Sequence, residues 1–233
     1  MTARVSALLV LALAANGGQA RAFEPLLHGT DNSLRLFVSS EEIASGEWEA
    51  LPIDDLCRGM IWARLKAKTH SASESEPVVR RVAPQPRAEA PISTLEALKT
   101  TTEVLVGRIV RVQPGMSCAP VQTARRIDIE VEEVVKGAYS AGDRIAVLEM
   151  GGWFDAQGVR FLDEESSFYP PAAVGDRTLV AGFGLNPGSL GAFTEMVRFR
   201  VQGDVIESAG APALADREPQ SLSRLTTILG SKK

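Results

Sequence analysis

Histidine is nearly absent from this sequence: His28 and His70 are the only two in 233 residues. Imidazole is the usual general base at neutral pH and the commonest metal ligand. Both histidines precede residue 92, and the strand-rich part of the chain follows it. A Ser-His-Asp site, a Cys-His site and a His-built zinc site are therefore excluded there by inventory. Cysteine is equally scarce, with Cys57 and Cys118 alone. Cys118 lies in Pro114-Gly-Met-Ser-Cys-Ala-Pro120, which reads as a loop, and without a His partner it is not expected to act as a nucleophile. No charge sign dominates, since the net charge is −4 and the pI about 5.4. That balance argues against the clustered basic face that nucleic acids need. The pairs Arg80-Arg81 and Arg125-Arg126 sit among Glu and Pro and read as solvated surface. Glycine-rich pieces occur at Gly151-Gly152 and Gly182-Phe-Gly184, but neither has a phosphate-cradling spacing before a helix. They read as turns. The longest apolar run, Val5 to Ala15, has 11 residues, short of the roughly 20 that cross a bilayer. No membrane span is expected.

That same run is informative. Arg4 precedes it, polar Asn16 to Gln19 follow, and Ala20-Arg21-Ala22 comes next. A positive end, a short apolar core and small residues three and one before a scissile bond are the zones of a secretory signal. Cleavage is expected after Ala22, giving a secreted or periplasmic protein. No Cys stands at the cleavage site, so a lipid anchor is not indicated. In an oxidising compartment the even cysteine count suggests a Cys57–Cys118 disulfide. Two separate buried thiols are the other reading.

The chain divides by composition into a signal (1–22), an amino-terminal region (23–69), a linker (70–91), a β domain (92–209) and a tail (210–233). In the amino-terminal region Leu34 to Val38 reads as a strand. Ile53, Leu56, Cys57, Met60 and Ile61 fall at helical spacing on one apolar face, with acids at the start and bases at the end. Such a helix docks most simply on the β domain, or lies on a membrane surface. The linker is rich in Ser and Pro, holds no aromatic residue and offers little apolar surface to offset ordering entropy. Leu222 to Leu229 allows one or two helical turns.

The β domain opens with Ser93-Thr-Leu-Glu96, a capping-box spacing that starts a short helix to about Lys99. Strands follow at Glu103–Gln113, Ile127–Glu132, Ile145–Leu148, Val159–Leu162, Arg177–Ala181, Phe193–Val201 and Val205–Glu207. Gly107 marks a bend or bulge, and Gln202-Gly203-Asp204 is a hairpin turn. Asp128, Glu130 and Glu132 alternate with apolar residues as an acidic stripe facing water. The first strand is apolar on both faces, so the preceding helix and the 53–68 helix are candidates to cover it. Short strands, Gly-rich turns and almost no helix indicate a mainly β domain, a small antiparallel barrel or sandwich of five or six strands with one or two short flanking helices.

The run Thr102-Glu-Val-Leu-Val-Gly-Arg-Ile-Val-Arg-Val112, the strand ending Val134-Val-Lys-Gly137, then Gly142-Asp-Arg-Ile-Ala-Val147 and Ala173-Val-Gly-Asp-Arg-Thr-Leu-Val180 together resemble exported bacterial domains of unassigned role. More distantly they are similar to the netrin-like module of tissue inhibitors of metalloproteinases. The likeness spans about residues 93–207 and implies a five-stranded OB-type barrel. Those inhibitors chelate zinc through a mature amino-terminal Cys. Here the terminus would be Phe23 with no Cys beside it, so that mechanism does not carry over.

Carboxylates are the remaining chemistry. Asp163-Glu164-Glu165, with Glu149 and Asp155, could hold Ca²⁺ or form an acid/base pair, but no EF-hand spacing is present and such loops are usually solvated. Neither a catalytic residue, a cofactor nor a metal is expected. Five of the 13 aromatic residues, Trp153, Phe154, Phe161, Phe168 and Tyr169, fall between Gly151 and Pro171. They either close the barrel core or form a partner-binding loop, since interfaces concentrate such side chains. The sequence reads as an exported, non-enzymatic binding module whose partner is an unknown protein or envelope component. The alternative is a small carboxylate-dependent hydrolase acting on envelope glycans, because glycosidases need only two carboxylates. The export reading has a direct check: the intact mass of exported material should correspond to a chain starting at Phe23. Membrane-held material retaining residues 1–22 contradicts it.

Overall fold

The computed structural model describes residues 37–53, 55–67, 78–80, 93–118, 121–156, 159–163, 172–184, 193–207 and 220–230. Eleven strands are found there, and four α-helices. We number the strands β1 (Phe37–Ser39), β2 (Val78–Arg80), β3 (Glu103–Cys118), β4 (Val121–Lys136), β5 (Arg144–Met150), β6 (Gly152–Ala156), β7 (Val159–Asp163), β8 (Arg177–Gly184), β9 (Phe193–Gln202), β10 (Val205–Glu207) and β11 (Gln220–Ser221). The helices are α1 (Ser40–Ser45), α2 (Asp55–Ala67), α3 (Thr94–Thr100) and α4 (Leu222–Gly230).

The architecture is mainly antiparallel β. One sheet of eight strands runs β11-β10-β9-β8-β3-β4-β5, with β1 added to the far end of β3, and β2-β7-β6 form a second sheet. This is larger than the expected five or six strands, and the backbone ladder does not return from β5 to the other end. Strands near both ends of the described chain, β1 and β11, enlarge the main sheet, and two further features depart from expectation. β3 and β4 are 16 residues each, because Pro114 to Cys118, expected as a loop, continues the β3 strand. It pairs there with β1 through Phe37↔Ser117 and Ser39↔Gly115. The other addition is Val78–Arg80, inside the expected linker, where the β-branched pair Val78-Val79 adds β2 in parallel to β7.

Alternation along the strands separates two apolar faces. Inside lie Leu105, Ile109, Ile127, Ile129, Val131, Ile145, Val147 and Val180, with Tyr139. Gly107 sits among them and is required: a Cβ there would run into the Glu130 carbonyl and Ile129. The register also shifts between Val106 and Gly107, the bulge expected at that glycine. On the other face Val104, Val106, Leu179, Val197, Phe199 and Ile206 pack under Leu98 of α3 and Leu222 and Leu225 of α4. The first strand is thus buried on both sides over Glu103–Gly107, as its composition implied, and opens to solvent from Arg108 to Pro114 except at Ile109. α3 is a cover, and its capping box is present, with Ser93 Oγ accepting from the Glu96 amide at 3.2 Å. The second cover is α4 rather than the 53–68 helix. Asp204 in the β9–β10 turn anchors α4, accepting from the Ser223 amide at 2.8 Å and the Ser221 hydroxyl at 2.7 Å. Those hydrogen bonds hold its carboxyl below the usual range, the Ser221 hydroxyl foremost.

α2 instead builds a separate core on the projecting end of β3, where Val38, Ile43, Trp48, Ile53, Cys57 and Ile61 meet Met116 and Cys118. Cys57 and Cys118 are disulfide-bonded, with Cα atoms 5.2 Å apart. This pins the buried stripe of α2 to Cys57 and Ile61. Leu56, expected on that stripe, is one residue (about 100°) away and is 71% exposed. Gly182 to Gly184, expected as a turn, belong to β8, with a register shift at Ala181/Gly182.

Candidate interaction surface

Three of the five aromatic candidates fall in the second sheet. β6 and β7 form an antiparallel hairpin in which Trp153 pairs with Leu162 and Phe154 with Phe161. The described part of the segment between β5 and β8 thus includes a hairpin paired with β2 rather than with the eight-stranded sheet. Phe168 and Tyr169 lie outside the described residues, as do Glu164 and Glu165.

The expected acidic stripe is not bare carboxylate. Asp128 is buried and meets Arg126 Nε at 2.8 Å, while Glu130 meets Arg144 at 3.3 Å. Glu132 takes Arg108 at 2.9 Å and Arg177 at 3.1 Å on its two oxygens. The face is a lattice of alternating charges laid across β3, β4, β5 and β8. Exposed pairs of this kind contribute only about 0–1 kcal/mol each. Their effect is to leave little uncompensated negative charge for a cation or a cationic partner.

The strongest polar arrangement is one that the sequence reading missed. Glu149 of β5 is fully buried, and its Oε1 accepts from Arg198 Nε of β9 at 2.5 Å. Its Oε2 accepts from Arg125 Nη2 of β4 at 2.7 Å. Arg198 is buried as well, whereas Arg125 reaches solvent. Arg125, expected as solvated surface, pairs across the ladder with Glu149 and is in phase with Ile127 and Ile129 of the inner face. Glu149 is in phase with Ile145 and Val147. A Glu and an Arg continuing two apolar alternations was the signal available in the sequence.

A second buried carboxyl closes the opposite end of that inner face. Glu103, at the start of β3, accepts from the Ala138 amide at 3.0 Å. Gly137 has φ +127°, and a Cβ there would strike the Glu103 carboxylate. Burial pushes the Glu103 carboxyl above the usual range, against the pull of the Ala138 amide and of Lys136. Burial, with Glu103 and Asp143 nearby, also raises Tyr139.

As for chemistry, both oxygens of Glu149 are committed to guanidinium groups, so it is not placed as half of an acid/base pair. Asp155 and Asp163 stand at register positions opposite Arg160 and Gly152. Among the described residues no group of three or more His, Cys, Asp or Glu could hold a metal ion, and no helix is long and apolar enough to cross a membrane. Both histidines lie outside the described residues. Comparison with known protein families finds no matching model, and no curated protein matches the sequence.

The Glu103 environment has a signed consequence. A carboxyl whose folded value is raised gives stability that is full below the unfolded value of about 4.5 and is lost as pH rises through the folded value. Glu103→Gln keeps an acceptor for the Ala138 amide and removes the buried charge. Its melting temperature should therefore gain on that of the wild type as pH rises from about 4 to neutral. A difference that is flat or shrinks over that range contradicts the assignment.

Proposed function

We propose that this chain is an exported, non-enzymatic binding module of the cell envelope or extracellular space. Its scaffold is an OB-type barrel and its partner-binding element is the aromatic segment from Gly151 to Pro171. The barrel reading rests on topology. β3 pairs with β4 and β8, β4 with β5, and β8 with β9, all antiparallel. It follows that β5 and β9 run in the same direction, and the Arg198–Glu149 contact brings them together. Side chains rather than a backbone ladder close this seam. The resemblance to netrin-like modules concerns the scaffold alone, because fold does not carry function.

The observation that carries the binding reading is the placement of the aromatics. A hairpin holding Trp153, Phe154 and Phe161 is inserted between β5 and β8 and pairs with β2 rather than with the main sheet, its strand β6 lying beside β3, β4 and α1. Aromatic side chains bring large apolar area with few torsions to freeze, which suits an interface. Pairing of the stripe carboxylates with arginine, and of Glu149 with two, weighs against the carboxylate-dependent hydrolase. Export rests on the amino-terminal signal, and the Cys57–Cys118 disulfide is compatible with an oxidising compartment.

Trp153→Ala and Tyr169→Ala test the reading directly. Each variant is assayed for thermal stability and for retention of whatever envelope component the wild type captures. A partner-binding segment loses capture while its melting temperature changes by less than about 2 °C. A segment that plugs the core loses several degrees, about 4–8 °C per kcal/mol in a small domain, and that result overturns the proposal.

A further inference from the structure

The outward face of α2 carries a glycine that no other described part of the chain approaches. Gly59 lies well inside the helix, where glycine is the least favourable residue after proline. It is not among the glycines with positive φ, and a Cβ built on it meets no atom within 4 Å. Among the described residues neither backbone conformation nor crowding calls for glycine here, and close approach by another backbone is a physical reason for one.

Its neighbours describe what approaches. Gly59, Trp62, Ala63 and Lys66 line one hollow, and their spacing of i, i+3, i+4 and i+7 is the four-residue diamond that receives a side-chain knob in helix–helix packing. Trp62 forms a wall, standing edge-on to Trp48 with ring centroids 5.5 Å apart and carrying Lys66 Nζ 5.6 Å from its own centroid. One turn earlier on the same face stands Leu56, 71% exposed, the knob that such a hollow fits. The opposite face of the helix is fixed by the disulfide and Ile61, so knob and hollow are presented on a held element.

We propose that α2 pairs with α2 of a second copy of this chain, antiparallel about a two-fold axis beside Gly59, each Leu56 seated in the hollow of the other copy. The antiparallel sense follows from the order of the parts. Leu56 precedes the hollow in the chain, so a two-fold pair fills both hollows only when the helices run oppositely. That arrangement also brings Lys66 of one copy toward the first helical turn of the other, where Asp55 is exposed. A bilayer surface is the competing occupant. It favours bulky apolar residues at the centre of the buried face, and here the centre is Gly59 and Ala63.

Sedimentation equilibrium on the chain from Phe23 onward, which holds every described element, tests this. The wild type should show a reversible monomer–dimer equilibrium. Leu56→Glu, at an exposed position, should raise the dimer dissociation constant at least about 100-fold with an unchanged circular dichroism spectrum. Gly59→Leu places a good helix former where the monomer has room and fills the hollow. It should abolish the dimer without lowering the melting temperature of the monomer. A wild type that stays monomeric at every concentration, or a Leu56→Glu variant that dimerises as the wild type does, overturns the proposal. So does a monomeric wild type that sediments with phosphatidylglycerol vesicles, which assigns the face to a bilayer.

Discussion

Two guanidinium groups share one buried carboxylate in this protein, and the way the main sheet wraps depends on them. β5 and β9 stand at opposite ends of the five-strand run β9-β8-β3-β4-β5, and no backbone ladder joins them. Arg198 and Glu149 meet where the two strands converge, and Arg125 of β4 holds the second carboxylate oxygen. A carboxylate taken out of water loses several kcal/mol of hydration, which is recovered only with well-formed partners on its lone pairs. Glu149 has such partners on both oxygens. Loss of the carboxylate would leave the buried Arg198 guanidinium without this counter-charge, whereas loss of one arginine leaves the other on Glu149. The contact acts as a latch, favourable only when the strands are together.

The rest of the molecule is arranged around that wrap. Apolar residues fill its interior from Ile127 and Val147 at one end to Tyr139 at the other, and Glu103 closes the end where Tyr139 stands. The outer face of β3, β8 and β9 would be exposed apolar surface without α3 and α4, which cover it with Leu98, Leu222 and Leu225. The projecting end of β3 would be a bare arm without β1 and α2, and the disulfide ties these to it. Closing a loop of 61 residues stabilises by about 4 kcal/mol in the chain-entropy account. That is a large share of the total for a core as small as the one around Trp48.

Much of this was legible in the sequence because local signals and tertiary structure agree. The Ser93–Glu96 box, the Gly203-Asp204 turn, the bulge at Gly107 and the two-sided burial at the start of β3 follow from capping, positive φ, close approach and alternation. The failures have physical causes too. Pro114 to Cys118 carries loop-forming residues, yet β1 pairs with it and makes it strand. Val78–Arg80 is too short to announce itself as a strand and exists by pairing with β7. The basic pair Arg125-Arg126 looked like surface because charge was weighed above phase, although Arg125 continues the alternation of Ile127 and Ile129. Leu56 has the spacing of the buried stripe of α2, but the disulfide at Cys57 fixes which face turns inward. Of the candidate binding segment, sequence identified the aromatic cluster, and the structure adds that the described part includes a hairpin paired with β2.

The central claim is that Glu149 and Arg198 together hold the seam between β5 and β9, and a double-mutant cycle measures it most directly. Denaturant unfolding of the wild type, Glu149→Gln, Arg198→Met and the double variant gives the coupling free energy of the pair. The account predicts that Glu149→Gln costs about 3–5 kcal/mol, as removal of one partner from a buried pair does. Arg198→Met should cost less, about 2–3 kcal/mol, because Arg125 still holds the carboxylate. The double change should cost less than the sum by about 2–3 kcal/mol. Single losses below about 1 kcal/mol, or losses that simply add, would contradict it.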